Sequence, residues 1–214
     1  MISETKCWKR ECEYLKEKYN MYGVNVDTRG KSGGLILLWR KDANLVIQSF
    51  SSAHIDTNIA LETEEVGWRF TGIYGQPDVA RRDKTWQLLR QLSRLSYQSW
   101  LCTGDFNEII CQEEKSGKLM RLWRQIENIR ECMTDCNFTN LGFQGHHFTW
   151  YNMRDPPENS KRLSGSSSCN ARLEAAISSC LCDQSPKEGI GSVSVTAVVR
   201  TQIKCGWEGT EEII

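Results

Sequence analysis

An acid and an amide two residues apart, Asp105 and Asn107, follow the apolar run Trp100, Leu101 and Cys102 and the break at Thr103 and Gly104. On extended backbone leaving a strand, side chains two apart point the same way. That sets an anionic acceptor beside an amide that both donates and accepts, a couple able to hold a phosphate ester and the group attacking it. It is equally an Asp/Asn turn of the kind that caps strands, and Gly-Asp-x-Asn alone does not separate the two. Tyr74, the last residue of an apolar stretch, presents a phenol at the same rim or serves as a core aromatic with its hydroxyl at the surface. His54 and Asp56 alternate with Ile55, Thr57 and Ile59 and so share a polar face, as a catalytic pair or, the blander expectation, as a solvated strand edge. Glu4, beside Ser3, is by position a helix-start acid. Arg81, Arg82, Lys84, Arg90 and Arg94 make one helix basic on its outer face, which suits a phosphate backbone or simply solvates the helix.

The 214 residues suffice for one domain with a sizeable core and a tail, and are too few for two full-sized domains. Lys plus Arg equals Asp plus Glu at 27 each, so nucleic acid would have to be met by a local patch rather than a global positive field. The strongest apolar run, residues 35–39, is far shorter than a membrane span, and the first residues lack the apolar stretch of a secretory signal. The expectation is an intracellular protein, nuclear or cytoplasmic and not secreted, with no membrane contact and no obligate protein partner. None of the ten cysteines falls in the C-x-x-C spacing usual for structural zinc. They are expected to be reduced, free thiols.

The elements that would position these groups follow from periodicity. Residues 3–19 set Trp8, Cys12, Leu15 and Tyr19 on one stripe, an amphipathic helix. Residues 35–39 and 45–50 read as adjoining strands of a hairpin joined by the turn signal at 41–44. Residues 55–61 and 68–74 read as strands, and Trp86, Leu89 and Leu92 as the buried stripe of a helix. The strand bearing Cys102 ends at Thr103 and Gly104. Leu119, Leu122, Ile126, Ile129, Met133 and Cys136 describe a long helix, residues 137–145 a loop, and residues 147–151 a strand. Strands in consecutive groups with helices between some of them fit an α+β layered sandwich better than a doubly wound sheet.

A wider set of motifs runs through the chain in order. It comprises Glu4-Thr5-Lys6, Ser32-Gly-Gly-Leu35 with Leu38-Trp39, His54-Ile-Asp56, Phe70-Thr-Gly-Ile-Tyr-Gly75, Gly104-Asp-Phe-Asn-Glu-Ile109, Glu114-Lys115, and Leu141-Gly-Phe143 with Phe148-Thr-Trp150. On these residues, spanning 1–163, the chain resembles the endonuclease/exonuclease/phosphatase superfamily and, within it, the apurinic-type endonuclease domain of plant non-LTR (LINE) retrotransposons. The resemblance implies a DNase I-like four-layer α/β sandwich of two packed mixed sheets with helices outside. It also implies DNA as partner and phosphodiester hydrolysis with a divalent metal, Mg2+ or Mn2+. By resemblance Glu4 is the metal-binding glutamate and Tyr74 the active-site tyrosine. Asp105 orients or deprotonates the attacking water, Asn107 contacts the phosphate, and Thr149 lies in the strand supporting the nucleic-acid-facing rim. Independently of the resemblance, the basic helix face offers Arg81 and Arg82 to nucleic acid. Magnesium's preference for carboxylate and water oxygens agrees with this set.

Three departures bear on activity. The family's first strand is absent, because almost nothing precedes Glu4. Ser164 stands where the family's Arg-Leu-Asp has its aspartate. The histidines are His54, His146 and His147, so none matches the family's late catalytic Ser-Asp-His. Composition shifts at the same place: residues 164–214 hold nine serines, four cysteines, four basic and six acidic residues. This tail is expected to be unrelated, poorly ordered, and read from a shifted frame or retained intron of a decayed element. Sheets lacking strands at both ends would leave edges open and apolar faces uncovered.

Two functions stay open. One is a retrotransposon-derived, metal-dependent DNA endonuclease domain, truncated at both ends and weak or inactive because the catalytic histidine and last aspartates are missing; whether it still acts as an enzyme is left open. The alternative is a non-catalytic nucleic-acid-binding remnant using the basic face around Arg81 to Arg94. A phosphatase or lipid-phosphate hydrolase of the same superfamily is disfavoured by the motif set.

Overall fold

A strand reading Leu-Ile-Leu-Leu-Trp-Arg needs cover on both faces, and the layers are arranged around it. The computed structural model describes residues 1–3, 9–27, 33–60, 67–117, 119–141, 150–151, 160–162, 165–170 and 200–201. That strand, β3 (Leu35–Arg40), lies in a four-stranded sheet between β1 (Ile2–Ser3) and β2 (Met21–Val26), with β13 (Arg200–Thr201) parallel to β1 at the far edge. The helix α1 (Lys9–Lys18) lies against β2 and buries Cys12.

The second sheet has the order β4 (Asn44–Ser51), β5 (His54–Ala60), β6 (Trp68–Tyr74), β7 (Ser99–Asp105), β12 (Gly165–Asn170), β9 (Phe138–Asn140). Only β6 and β7 run parallel in it, and the crossover this demands is supplied by α2 (Asp83–Ser93). Leu35 and Leu37 from β3 pack with Ile55 and Tyr74, joining the two sheets face to face. On the other face of the second sheet, Ile73, Trp100 and Cys102 pack with Trp86 and Leu89 of α2 and with Ile129 and Cys132 of α3 (Trp123–Asp135). The result is helix, sheet, sheet, helices, the α+β sandwich expected. A small third sheet joins β10 (Trp150–Tyr151), β11 (Ser160–Arg162) and β8 (Lys115–Gly117).

Several expectations are corrected. β3 and β4 are not a hairpin: the turn between them carries the chain from one sheet to the other. β2 was not anticipated, since Gly23 and Asn25 interrupt its apolar residues, and β9 lies where a loop was expected. Of the helix expected over residues 3–19, Lys9–Lys18 is described as α1, whereas Ser3 belongs to β1, which pairs with β3 as Ile2↔Ile36 and Ser3↔Leu35. The third starts at Trp123, leaving Leu119 and Leu122 exposed ahead of it. β7 continues past Gly104 to Asp105.

The polar face of β5 is not solvated. β5 sits between β4 and β6, and His54 and Asp56 are 6% and 2% exposed. Within residues 164–214, expected to be poorly ordered, 165–170 and 200–201 form strands, and β12 pairs with both β7 and β9. A ladder needs backbone groups rather than apolar side chains, so a serine-rich run can fill it.

Candidate active site

β6 and β7 end level with one another, Tyr74 opposite Asp105 across the parallel ladder. Tyr74 belongs to the core cluster between the two sheets, and residues paired across a ladder share a face. Both side chains therefore stand at the strand ends on the side towards β3. A Cβ at Gly33, just before β3, would lie 3.9 Å from Cε1 of Tyr74, which brings the first sheet to the same rim.

Asn107 closes the site by turning back. Its backbone is left-handed, φ 55°, a conformation asparagine tolerates better than most residues. Its N–H donates to Asp105 Oδ1 at 2.8 Å, and its Nδ2 donates to the Gly75 carbonyl at 2.8 Å. The Gly75 N–H in turn donates to the Asp105 carbonyl at 2.7 Å. Asp105 and Asn107 thus meet through a tight Asx turn and not through extended backbone, and this turn also laces the two strand ends together. The close approach depends on glycine. A Cβ at Gly75 would stand 2.2 Å from the Phe106 carbonyl oxygen, and one at Gly104, where φ is +145°, 1.9 Å from that of Ile73. Tyr74, Asp105 and Asn107 are 6%, 4% and 3% exposed.

The structure brings these three together. Glu4 and Thr149 lie outside the described residues. Arg81 is exposed and pairs with Asp78 at 3.6 Å. Arg82 does not face outward: it is 5% exposed, and its Nη1 donates to Glu108 Oε2 at 2.5 Å. Arg81 and Arg82 precede α2, and Arg90 within it pairs with Asp135 at 2.6 Å. The basic face is therefore smaller than the sequence suggests. Glu108, beside Asn107 in the Gly-Asp-Phe-Asn-Glu-Ile motif, was not singled out, although its place in that motif was a signal.

His54 and Asp56 do not form a catalytic couple. Asp56 accepts both forks of Arg69, Nε to Oδ1 and Nη2 to Oδ2, each at 2.8 Å. It also accepts Thr71 Oγ1 at 2.5 Å, while Arg69 Nη1 donates to the Leu92 carbonyl at 2.6 Å. His54 sits between the Ser49 and Ser51 hydroxyls, 2.9 Å from each ring nitrogen. Burial pushes its pKa below the ordinary 6.5, Asp56 partly opposing and Arg69 reinforcing. The imidazole is held neutral within a structural network.

Among the described residues Cys12, Cys102, Cys111, Cys132 and Cys136 are in no disulfide, and burial pushes the Cys102 thiol up. No group of three or more His, Cys, Asp or Glu among the described residues is arranged to hold a metal. The oxygens at the rim are the Asp105 carboxylate, the Asn107 amide and the Tyr74 phenol, hard donors of the kind magnesium prefers. Also among the described residues, no helix is long and apolar enough to cross a membrane.

No protein-family model matches the chain, and no curated protein matches it. Solved structures do. The endonuclease domain of TRAS1, a telomere-specific non-LTR retrotransposon, superposes with a TM-score of 0.59 at 9% identity, covering 81% of this chain and 86% of that one. The chain has a DNase I-like fold. Two other likenesses are the human Nocturnin catalytic domain with bound sulfate, at a TM-score of 0.49 and 7% identity over 79% of this chain and 67% of that one, and a Bacteroides thetaiotaomicron mannosyl-6-phosphatase, at 0.46 and 11% over 79% and 69%. At these identities the DNase I-like likeness concerns the fold alone.

Proposed function

We propose that the chain is a retroelement-derived, divalent-metal-dependent phosphodiester hydrolase acting on DNA, of the LINE endonuclease type and of low activity. The observation that carries this reading is the register of Tyr74 against Asp105 at two parallel strand ends, with Asn107 braced across them to Gly75. Asp105 would orient the attacking water and draw off its proton, while the Asn107 turn would offer its amide to a phosphate oxygen and Tyr74 would bound the site from the neighbouring strand. Magnesium would be held by Glu4 together with rim oxygens and would supply charge stabilisation to the phosphoryl group. In support of that assignment, Ser3, the residue before Glu4, is paired with Leu35, two residues from the Gly33 that adjoins Tyr74.

We attribute the low activity to Ser164, which stands where the family has an aspartate, since losing one member of a cooperating set typically costs orders of magnitude. We also place the limit of the hydrolase-like part after β12 rather than at residue 163, because β12 lies in the second sheet between β7 and β9. The non-catalytic reading is less favoured, because Arg82 and Arg90 are engaged internally and leave Arg81, Lys84 and Arg94 as the exposed cations of that face.

Nicking of supercoiled plasmid with magnesium, by this chain and by Asp105→Ala, tests the proposal. Slow nicking that is abolished by chelator and by the substitution supports it. Equal nicking by the two proteins, or retention of plasmid without nicking, overturns it, the latter in favour of the binding remnant.

A further inference from the structure

The loops leaving β6 and β7 carry Tyr74 and the Asp105–Asn107 turn, and both are anchored on a carboxylate that the proposed chemistry does not use. Arg82 donates from Nε to the Gln76 carbonyl and from Nη2 to the Pro77 carbonyl, each at 3.3 Å. Its guanidinium is thus the inner wall of the first loop. Its third contact, Nη1 to Glu108 Oε2 at 2.5 Å, reaches the residue that follows Asn107 in the second loop. The other oxygen of Glu108 accepts the Ile109 N–H at 3.1 Å and lies 2.6 Å from Nε of Arg121. Arg121 is itself held by Gln112, whose Oε1 accepts the Arg121 N–H at 3.2 Å and whose Nε2 donates to the Arg121 carbonyl.

The Glu108 side chain is 1% exposed, against 7% for Arg82 and 14% for Arg121. A carboxylate so far withdrawn from water persists only when paired and hydrogen-bonded. Here it is paired with cations from two segments remote in sequence. We infer that Glu108 is a positioning residue. By clamping Arg82 against the Gln76 and Pro77 carbonyls, it fixes the loop after Tyr74 against the Asn107 turn, so that the phenol and the acid–amide couple keep one spacing. The consequence for turnover rests on the hydrolase reading; the clamp itself is a property of the fold. The Asp56–Arg69 pair is as deeply buried but joins β5 to the start of β6, away from Tyr74, and it anchors neither loop.

The test compares the whole chain with Glu108→Gln and with Arg82→Lys, which keeps the charge but loses the forked donors. Amide hydrogen exchange by NMR is measured alongside plasmid nicking kinetics in magnesium. Exchange at Gly75 and Asn107 is expected to quicken about tenfold or more in both variants while β4 and β5 are unchanged. kcat is expected to fall about ten- to a hundredfold, the scale of a misplaced catalytic group, with KM within about twofold. Unchanged exchange at those two amides, or equal acceleration throughout β4 and β5, overturns the clamp whether or not the parent chain nicks DNA. A rise in KM with kcat intact overturns positioning in favour of a DNA contact. Selective loosening in a parent chain that does not nick upholds the clamp and removes the hydrolase reading instead.

Discussion

Asp105 and Asn107 each serve the turn and the proposed chemistry with different atoms. The Asx bond to Oδ1 and the brace to Gly75 are structural, so substitution should separate the roles. Asp105→Ala should lower nicking by about a hundredfold or more, the range ascribed to a positioned general base. Asn107→Ala leaves the Gly75 carbonyl without its side-chain donor, and urea unfolding should show a loss of about 1–3 kcal/mol besides any loss of rate. The spacing of Asp105 and Asn107 announced that the two act together, although they meet through an Asx turn and not the extended backbone expected, and Tyr74 at the same rim was one of two readings of a strand end. It misjudged Arg82, since the cation lies on a stretch of apparently solvated charges and its partner Glu108 is 26 residues away. The same limit applies to Asp56: alternation announces a polar face, but only the neighbouring strand shows that the face meets Arg69.

At the scale of elements, β5 and β6 were legible almost to the residue and the buried stripe of α2 was found, though Arg81, Arg82 and Arg94 lie outside that helix, because each has a clean period of its own. The β3–β4 hairpin was not, because a turn signal states that the chain reverses and not which sheet it joins. β12 was invisible, its serines having no pattern that distinguishes strand from loop. Two predictions belong here. Asp56→Asn removes one partner of a buried pair and strands the Arg69 guanidinium, so β5 and β6 should lose about 3–5 kcal/mol by urea unfolding at pH 7. Gly104→Ala forces a Cβ onto the Ile73 carbonyl oxygen at a left-handed position. Its effect should concentrate at the β6–β7 end, seen as faster amide exchange at Gly75 than at Ile55.

For the whole molecule, the buried neutral His54 couples folding to pH. Its folded pKa lies below the ordinary 6.5, so above that pH the ring is neutral in both states and its contribution is complete. As pH falls below 6.5 the unfolded chain takes up a proton that the folded one refuses. Stability should then drop by about 1.4 kcal/mol per pH unit until the folded pKa is reached. Urea midpoints at pH 7.5 and 5.0 should show the fall, and His54→Gln should lessen it.

The DNase I-like sandwich places two sheet ends at one rim, and the central claim is that this rim binds a divalent metal beside Asp105. Manganese titration followed by paramagnetic broadening of backbone amides tests that directly, without requiring turnover. The Ser3, Gly75 and Asn107 signals should broaden first, while Cys12 and Ile129 keep their width, and Glu4→Gln should abolish the effect. Broadening confined to other parts of the chain, or none at saturating manganese, would contradict that claim.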